Sequence, residues 1–300
     1  IRSGIGEDCS VVNFGDQECV LSTDPITGAR VNSGRLAVHI NCNDIASCGV
    51  EPVGILVTIL APESSSLEDI RRIMSEISEE TEKLNVEILG GHTEITRAVN
   101  KMVISCTVIG KGKSGEAVAT SGAKEGDDII VTKHLCLEGI SIVVNDYEDK
   151  LKNILTSEEI KEAKGYIKYI SVVKEGILSA KAGVNSMHDI TEGGVLGALW
   201  EVAQASNVGF KVYKKKMPIT KITEKICSKY VVDPLRFISS GSMLITTKDG
   251  NKLIELLKSQ NIKACIIGKI TREKGILVCD EFEKEVAPPK RDELFVLEEK

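Results

Sequence analysis

Aromatic side chains are scarce in this chain of 300 residues, at 4% for tryptophan, tyrosine and phenylalanine together. Few stacking platforms for single-stranded nucleic acid are therefore on offer. A formal net charge of -6 adds no pull toward nucleic acid or an anionic membrane surface. No apolar run reaches the ~20 residues that a membrane-spanning helix needs, and the longest, VGILVTILAP, is strand-sized. There is no secretory signal pattern and no initiator methionine, and the chain opens inside what reads as a motif, so residues upstream are expected. The nine cysteines never fall as C-x-x-C, and no Cys/His group has zinc spacing. Odd in number and mostly apolar in context, they are expected to be reduced, structural thiols of a cytoplasmic protein. G-x-x-x-x-G-K-[ST], G-x-G-x-x-G after a strand and G-x-S-x-G are all missing. A nucleotide, if bound, is held by another route.

What is present is ordinary globular material, 42% hydrophobic and 27% charged, in a length that suits two domains. Helix and strand patterns alternate, which predicts an α/β or α+β layout. ECVLST reads as a strand, GRLAVHINCNDIASCG as a buried helix ended by Gly49, and PVGILVTILA as a buried strand. SSLEDIRRIMSEISEETEKL is amphipathic, with a serine-led, acid-rich start. VEIL and KMVISCTVIGKG are further strands, and the Gly/Ser/Ala-rich stretch 113–128 is the candidate boundary, dividing the chain into 1–120 and 121–300. Beyond it the pattern predicts a long polar helical region over about 156–182, a helix from near Val195, helices near 219–229 and 250–259, and strands at 242–247, 262–270 and 275–280. APPKRDELF reads as an extended, proline-led tail.

Five clusters carry candidate chemistry. SGIGEDCSVV sets glycines around Glu7 and Asp8 before a strand, and is either a surface turn or a close approach to a ligand. In LSTDPITG, Asp24 ends a strand and Pro25 biases its backbone toward an extended shape; an Asx turn is the rival reading. In INCNDIASCG, Asp44, beside Asn43, is the only carboxylate between Gly34 and Val50, in a helix apolar or neutral on nearly every face; burial of an unpaired charge is costly and demands a cation or donors. ILGGHTEIT runs a strand into Gly90-Gly91, whose backbone N–H groups would form an anion nest beside Thr93. MHDITEGGVLGALWEVA places His188, Asp189, Thr191 and Glu192 before Gly193-Gly194 and an apolar helix, which fits a cap, a metal ligand set or a phosphate cradle. Scattered aspartates with two glycine nests suit magnesium, which takes a few carboxylates together with phosphate oxygens and water.

GIGEDCSVV, STDPITG, AVHINCNDIASCGVEPVG, GGHTEIT and HDITEGGVLGALWEVA stand in the order found in the aminoimidazole ribonucleotide synthetase (PurM-like) superfamily, and the chain resembles its hydrogenase-maturation (HypE) branch over nearly its whole length. The resemblance implies two α/β domains, the N-terminal one joining a partner's strands into a dimeric barrel, with ATP and Mg2+ between the domains. It implies that Asp8, Asp24 and Asp44 hold magnesium and that Gly90, Gly91 and Thr93 cradle phosphate. Asn43 would join the nucleotide contacts, and His188, Asp189, Glu192, Gly193 and Gly194 would line the cleft, with Asp44, His188 and Glu192 as its catalytic residues. The implied chemistry is activation of an amide- or carbamoyl-type oxygen by the γ-phosphate, with other hydrogenase-maturation proteins as partners. Thiamine-monophosphate kinase-like phosphotransfer and a non-catalytic nucleotide-binding partner are the alternatives. The branch carries its carbamoyl group on a C-terminal cysteine; here the last cysteine, Cys279, precedes Lys300 by 21 residues, so a separate substrate is expected.

Overall fold

A computed structural model describes residues 7–27, 31–280 and 282–299. Gly4, Gly6 and Gly28 of the quoted motifs lie outside them. Two sheets organise the chain. The first is built from β1 (Ser10–Asn13), β2 (Gln17–Ile26), β3 (Glu51–Ala61), β4 (Glu87–Ile95) and β5 (Val103–Lys113), in the order β1-β2-β5-β3-β4. All pairings are antiparallel except β3 with β4, whose crossover is the amphipathic helix α2 (Leu67–Leu84). Ser66 caps that helix reciprocally with Asp69.

Helix α1 (Ser33–Ser47) packs against this sheet and α2, and its far side meets the second half of the chain. It is buried on nearly every face, which is why its apolar and small residues show no amphipathic stripe. His39 on α1 pairs with Glu80 on α2 at 3.1 Å, and Arg35 pairs with Glu79 and Glu80 rather than Asp44.

The second sheet has the order β12-β11-β8-β10-β6-β9-β7, with β6 at Asp128–Thr132, β7 at Ser186–Asp189, β8 at Gly209–Tyr213, β9 at Met243–Thr247, β10 at Ala264–Thr271, β11 at Ile276–Val278 and β12 at Glu283–Glu285. Around it run α3 (Leu137–Asp146), α4 (Glu148–Leu151), α5 (Ser157–Lys164), α6 (Val173–Lys181), α7 (Gly194–Ser206), α8 (Lys221–Tyr230), α9 (Gly250–Ser259) and α10 (Glu293–Glu298). The stretch joining the two sheets is pinned by acids of the first. Glu18 accepts the N–H groups of Gly115 and Ala117 at 2.9 and 2.7 Å, and Glu7 accepts those of Thr120 and Ser121.

Four expectations are corrected. The region 156–182 is broken between α5 and α6: Asn43 receives the Val172 N–H at 2.8 Å and donates to the Ile170 carbonyl at 2.9 Å, which fixes residues 170–172 outside any helix. The C-terminal tail ends in α10, capped by Asp292, rather than remaining extended. The strand PVGILVTILA is buried on one face only, with Val53 and Leu56 44% and 41% exposed. Gly90 and Gly91 lie inside β4 instead of after it: the ladder steps past Leu89 in a bulge, and a Cβ on Gly91 would sit 1.8 Å from the Val57 carbonyl oxygen. Parallel pairing with β3 thus accounts for a glycine there.

The Asn43 clamp satisfies two backbone groups at a fully buried position. Asn43→Ala should lower the unfolding free energy by about 2–4 kcal/mol, since buried groups left unpaired cost about 1–3 kcal/mol each. Urea unfolding checks this; a loss below about 0.5 kcal/mol would show that the clamp is dispensable.

Candidate active site

The strand–helix architecture brings the ends of four segments to one cavity of about 510 Å3 between the two sheets, lined by Asp8, Asp24, Asp44, Asp189, Glu138 and Glu192 among others. This is the size of an ordinary small-ligand site. On β2 the two-residue alternation turns Ser22 and Asp24 toward α1. There the Ser22 hydroxyl donates to Asp44, and the Asp24 N–H donates to Asn41 Oδ1 at 2.8 Å. Asp8 enters just before β1, and Asp189 ends β7 at the edge of the second sheet.

Their charges are crowded. Burial, reinforced by Asp189, Asp8 and Asp24, holds the Asp44 carboxyl well above the usual range. Burial and the charge of Asp8 do the same for Asp189. One carboxylate oxygen each of Asp8 and Asp189 is buried with no hydrogen-bond partner. No lysine, arginine or histidine is among the described residues lining the cavity. Of the described residues only His188, behind the wall, answers part of this charge, so the set favours a cation from outside the protein. Among the described residues no group of three or more His, Cys, Asp or Glu side chains is gathered closely enough to hold a metal ion by itself. An open set fits magnesium, which keeps water and phosphate oxygens in its shell. Asp8, Asp24, Asp44 and Asp189, which line one cavity, are the residues that would share such an ion with water and phosphate oxygens.

His188 stands behind this set, not in it. Its Nδ1 lies 2.7 Å from Asp8 and its Nε2 lies 2.9 Å from Glu201 on α7. Burial opposes the charged ring, but the two carboxylates outweigh it and raise its pKa well above the ordinary value. His188 thus bridges Asp8 and Glu201 and holds Asp8 in place.

Several expected residues sit elsewhere. Asn43 turns its amide to residues 170 and 172, so its side chain is occupied by the clamp. Gly90, Gly91 and Thr93 are exposed on β4, outside the cavity lining, as are His92 and Glu94. Gly193 and Gly194 both have positive φ, of 79° and 61°, and neither lines the cavity. The Gly193 N–H donates at 2.7 Å to Asp292, so this nest already holds a carboxylate of the same chain. Asp292 also accepts the N–H groups of Ile238 and Leu294, which draws Leu294 and Phe295 to the cavity wall. Thr191 and Glu192 do line the cavity, Glu192 exposed at its rim.

Sequence reading missed Glu138, Ser240, Leu294 and Phe295. Glu138 and Ser240 lie in stretches without a recognisable motif, and the cap residue Asp292 preceding an apolar segment was the available signal for α10.

The chain is thus a two-domain α/β protein with an acid-lined cavity between its sheets. The chain belongs to the AIR synthase related protein family: the N-terminal domain of the family matches residues 6–111 and the C-terminal domain residues 124–280. It has the two-domain PurM-like fold and falls with the HypE relatives. A putative hydrogenase expression/formation protein of Methanocaldococcus jannaschii is 30% identical, over 93% of this chain and 85% of that one. Carbamoyl dehydratase HypE of Rhizobium leguminosarum bv. viciae is 23% identical, over 91% and 79% respectively. The crystal structure of hydrogenase maturation protein HypE in complex with ATP superimposes with a TM-score of 0.74 at 18% identity, covering 92% of this chain and 86% of that chain.

The crowded acids set a pH dependence. For Asp44 and Asp189 the folded-state pKa lies above the unfolded value of about 4, so their contribution to stability falls as pH rises from there through the raised values. Mg2+ should thus raise the melting temperature more at about pH 7.5 than at about pH 5, because the cation relieves a repulsion that acid has already removed. Asp44→Asn should raise the melting temperature of the cation-free protein at about pH 7.5 and shrink the Mg2+ effect. Scanning fluorimetry reads both; equal Mg2+ effects at the two pH values would contradict the assignment.

Proposed function

We propose that this protein is an ATP-dependent, Mg2+-requiring enzyme that transfers a phosphoryl group to an amide- or carbamoyl-type oxygen. The observation that carries the reading is the convergence of Asp8, Asp24, Asp44 and Asp189 on one cavity with no basic side chain among its described lining residues. Mg2+ bound to these acids would neutralise the charge of a triphosphate and its leaving group. The chain's own part is positioning: Ser22 orients Asp44, Asn41 fixes the backbone at Asp24, and His188 holds Asp8 against Glu201. Preorganised charge of this kind is the main lever in phosphoryl transfer. The division at about residue 120, with nucleotide between the two halves, belongs to the same proposal.

The kinship with hydrogenase expression/formation proteins and carbamoyl dehydratases supports a carbamoyl-type acceptor and a place in hydrogenase metal-centre maturation, beside other proteins of that process. A thiamine-monophosphate kinase-like reaction is less favoured, because no lysine, arginine or histidine among the described lining residues meets a phosphate-bearing acceptor. A non-catalytic nucleotide-binding role leaves the raised carboxyl groups of Asp44 and Asp189 without a use. A homodimer is part of the proposal: Val53, Leu56, Leu89 and Ile95, all at least 41% exposed, lie on the neighbouring strands β3 and β4, where a second copy could extend the sheet. A cytoplasmic setting suits the nine free cysteines. No described helix is long and apolar enough to cross a membrane.

Phosphorus NMR of ATP incubated with Mg2+ and a carbamoyl thiol, a simple amide or thiamine monophosphate separates the reactions. ADP and inorganic phosphate are expected with a carbamoyl or amide acceptor, and Asp44→Asn should slow their release by about 100-fold or more. Thiamine diphosphate formation would transfer the protein to the kinase reading, and full turnover by the Asp44→Asn variant would remove Asp44 from the chemistry.

A further inference from the structure

Beyond the four aspartates, the same cavity presents a carboxylate that no basic lining side chain answers among the described residues. Glu138, near the start of α3, is 3% exposed, and its Oε2 is buried without a hydrogen-bond partner. Burial, only partly offset by Ser240 and reinforced by Glu192 and Asp292, pushes its carboxyl up to about 7. Glu138 feels Glu192 and Asp292, whereas Asp44 feels Asp189, Asp8 and Asp24; Glu192, which also feels Asp24, links the two acidic groups.

Apart from Ser240 and Glu192, the lining around Glu138 is hydrocarbon. Ile142 stands one helical turn along α3, and Ile238, Leu294 and Phe295 are placed beside it by the hydrogen bonds of Asp292. Asp292 itself is committed to three backbone N–H groups, and Glu192 sits at the exposed rim. Glu138 is therefore the carboxylate at this end with a sheltered oxygen, Oε2, that no partner occupies. A buried acceptor with an unused lone pair costs free energy until a donor meets it. An anion placed against it, with no basic side chain among the described lining residues, meets repulsion alone.

We infer that this end of the cavity is the acceptor pocket, that it selects a small neutral or cationic molecule bearing an N–H bond and an apolar body, and that Glu138 accepts that N–H. The inference rests on the phosphoryl-transfer reading of the aspartate end and adds to it the class of acceptor, with Glu138 as the residue that sets specificity.

The test uses three probes of one shape: benzamide, benzamidinium and benzoate, titrated by NMR into the whole protein with and without Mg2+ and a nonhydrolysable ATP analogue. The wild type should bind benzamide and benzamidinium at least tenfold more tightly than benzoate. In Glu138→Gln, which keeps an N–H acceptor but loses the charge, the preference for benzamidinium over benzamide should fall by tenfold or more. Benzoate binding as tightly as benzamide, failure of all three to bind at millimolar concentration, or an unchanged benzamidinium-to-benzamide ratio in the variant would each overturn the inference. If the analogue itself fails to bind, the phosphoryl-transfer reading falls instead, and the probe ranking measured without it still judges Glu138.

Discussion

Four aspartates brought from different parts of the chain into one sheltered cavity repel one another, and no basic side chain among the described residues lining it offsets them. Asp44 and Asp189 retain their protons far more readily than exposed carboxyls do, and one oxygen each of Asp8 and Asp189 has no partner. The surrounding structure fits this constraint. Ser22 donates to one acid, Asn41 holds the backbone of a second, and His188 braces a third against Glu201. The protein stores an electrostatic cost that, on the proposed reading, an arriving cation would convert into binding free energy.

Keeping the acids together requires the two sheets to stay in fixed relation. Helix α1 carries Asp44 on one side and, through Asn43, grips residues 170 and 172 on another. Glu7 and Glu18 pin the connecting segment, and Asp292 ties the C-terminal helix to Gly193 and Ile238. Polar residues that look like ligands in the sequence are thus divided between two duties. Some face the cavity, while others satisfy buried backbone groups that would otherwise go unpaired.

That division explains what was legible beforehand. Asp44 stood out because a lone acid in an apolar helix needs a reason, and Asp24 because a Pro-locked strand end presents its side chain. Both line the cavity. Asn43 reads the same way in sequence, but its partners lie more than a hundred residues away and no local signal announces them. Gly90-Gly91 is a nest by pattern and a bulged strand by structure, since the parallel neighbour that decides the matter is remote. Gly193 does form a nest-like N-terminus, and Asp292 from the far end of the chain fills it. Glu138 was invisible because its isolation arises from tertiary packing. Helices and strands with clear periodicity emerged near their expected bounds; the break at 170–172 and helix α10 depended on contacts distant in sequence.

Protons are the most direct witness to the stored repulsion. Calorimetric titration with Mg2+ at about pH 6, repeated in buffers of different ionisation enthalpy, counts the protons displaced as the cation binds. Net proton release in the wild type, reduced when Asp44 is replaced by Asn, is the predicted result. Binding with no proton release, or the same release from both proteins, would contradict the claim that the crowded aspartates are a cation site.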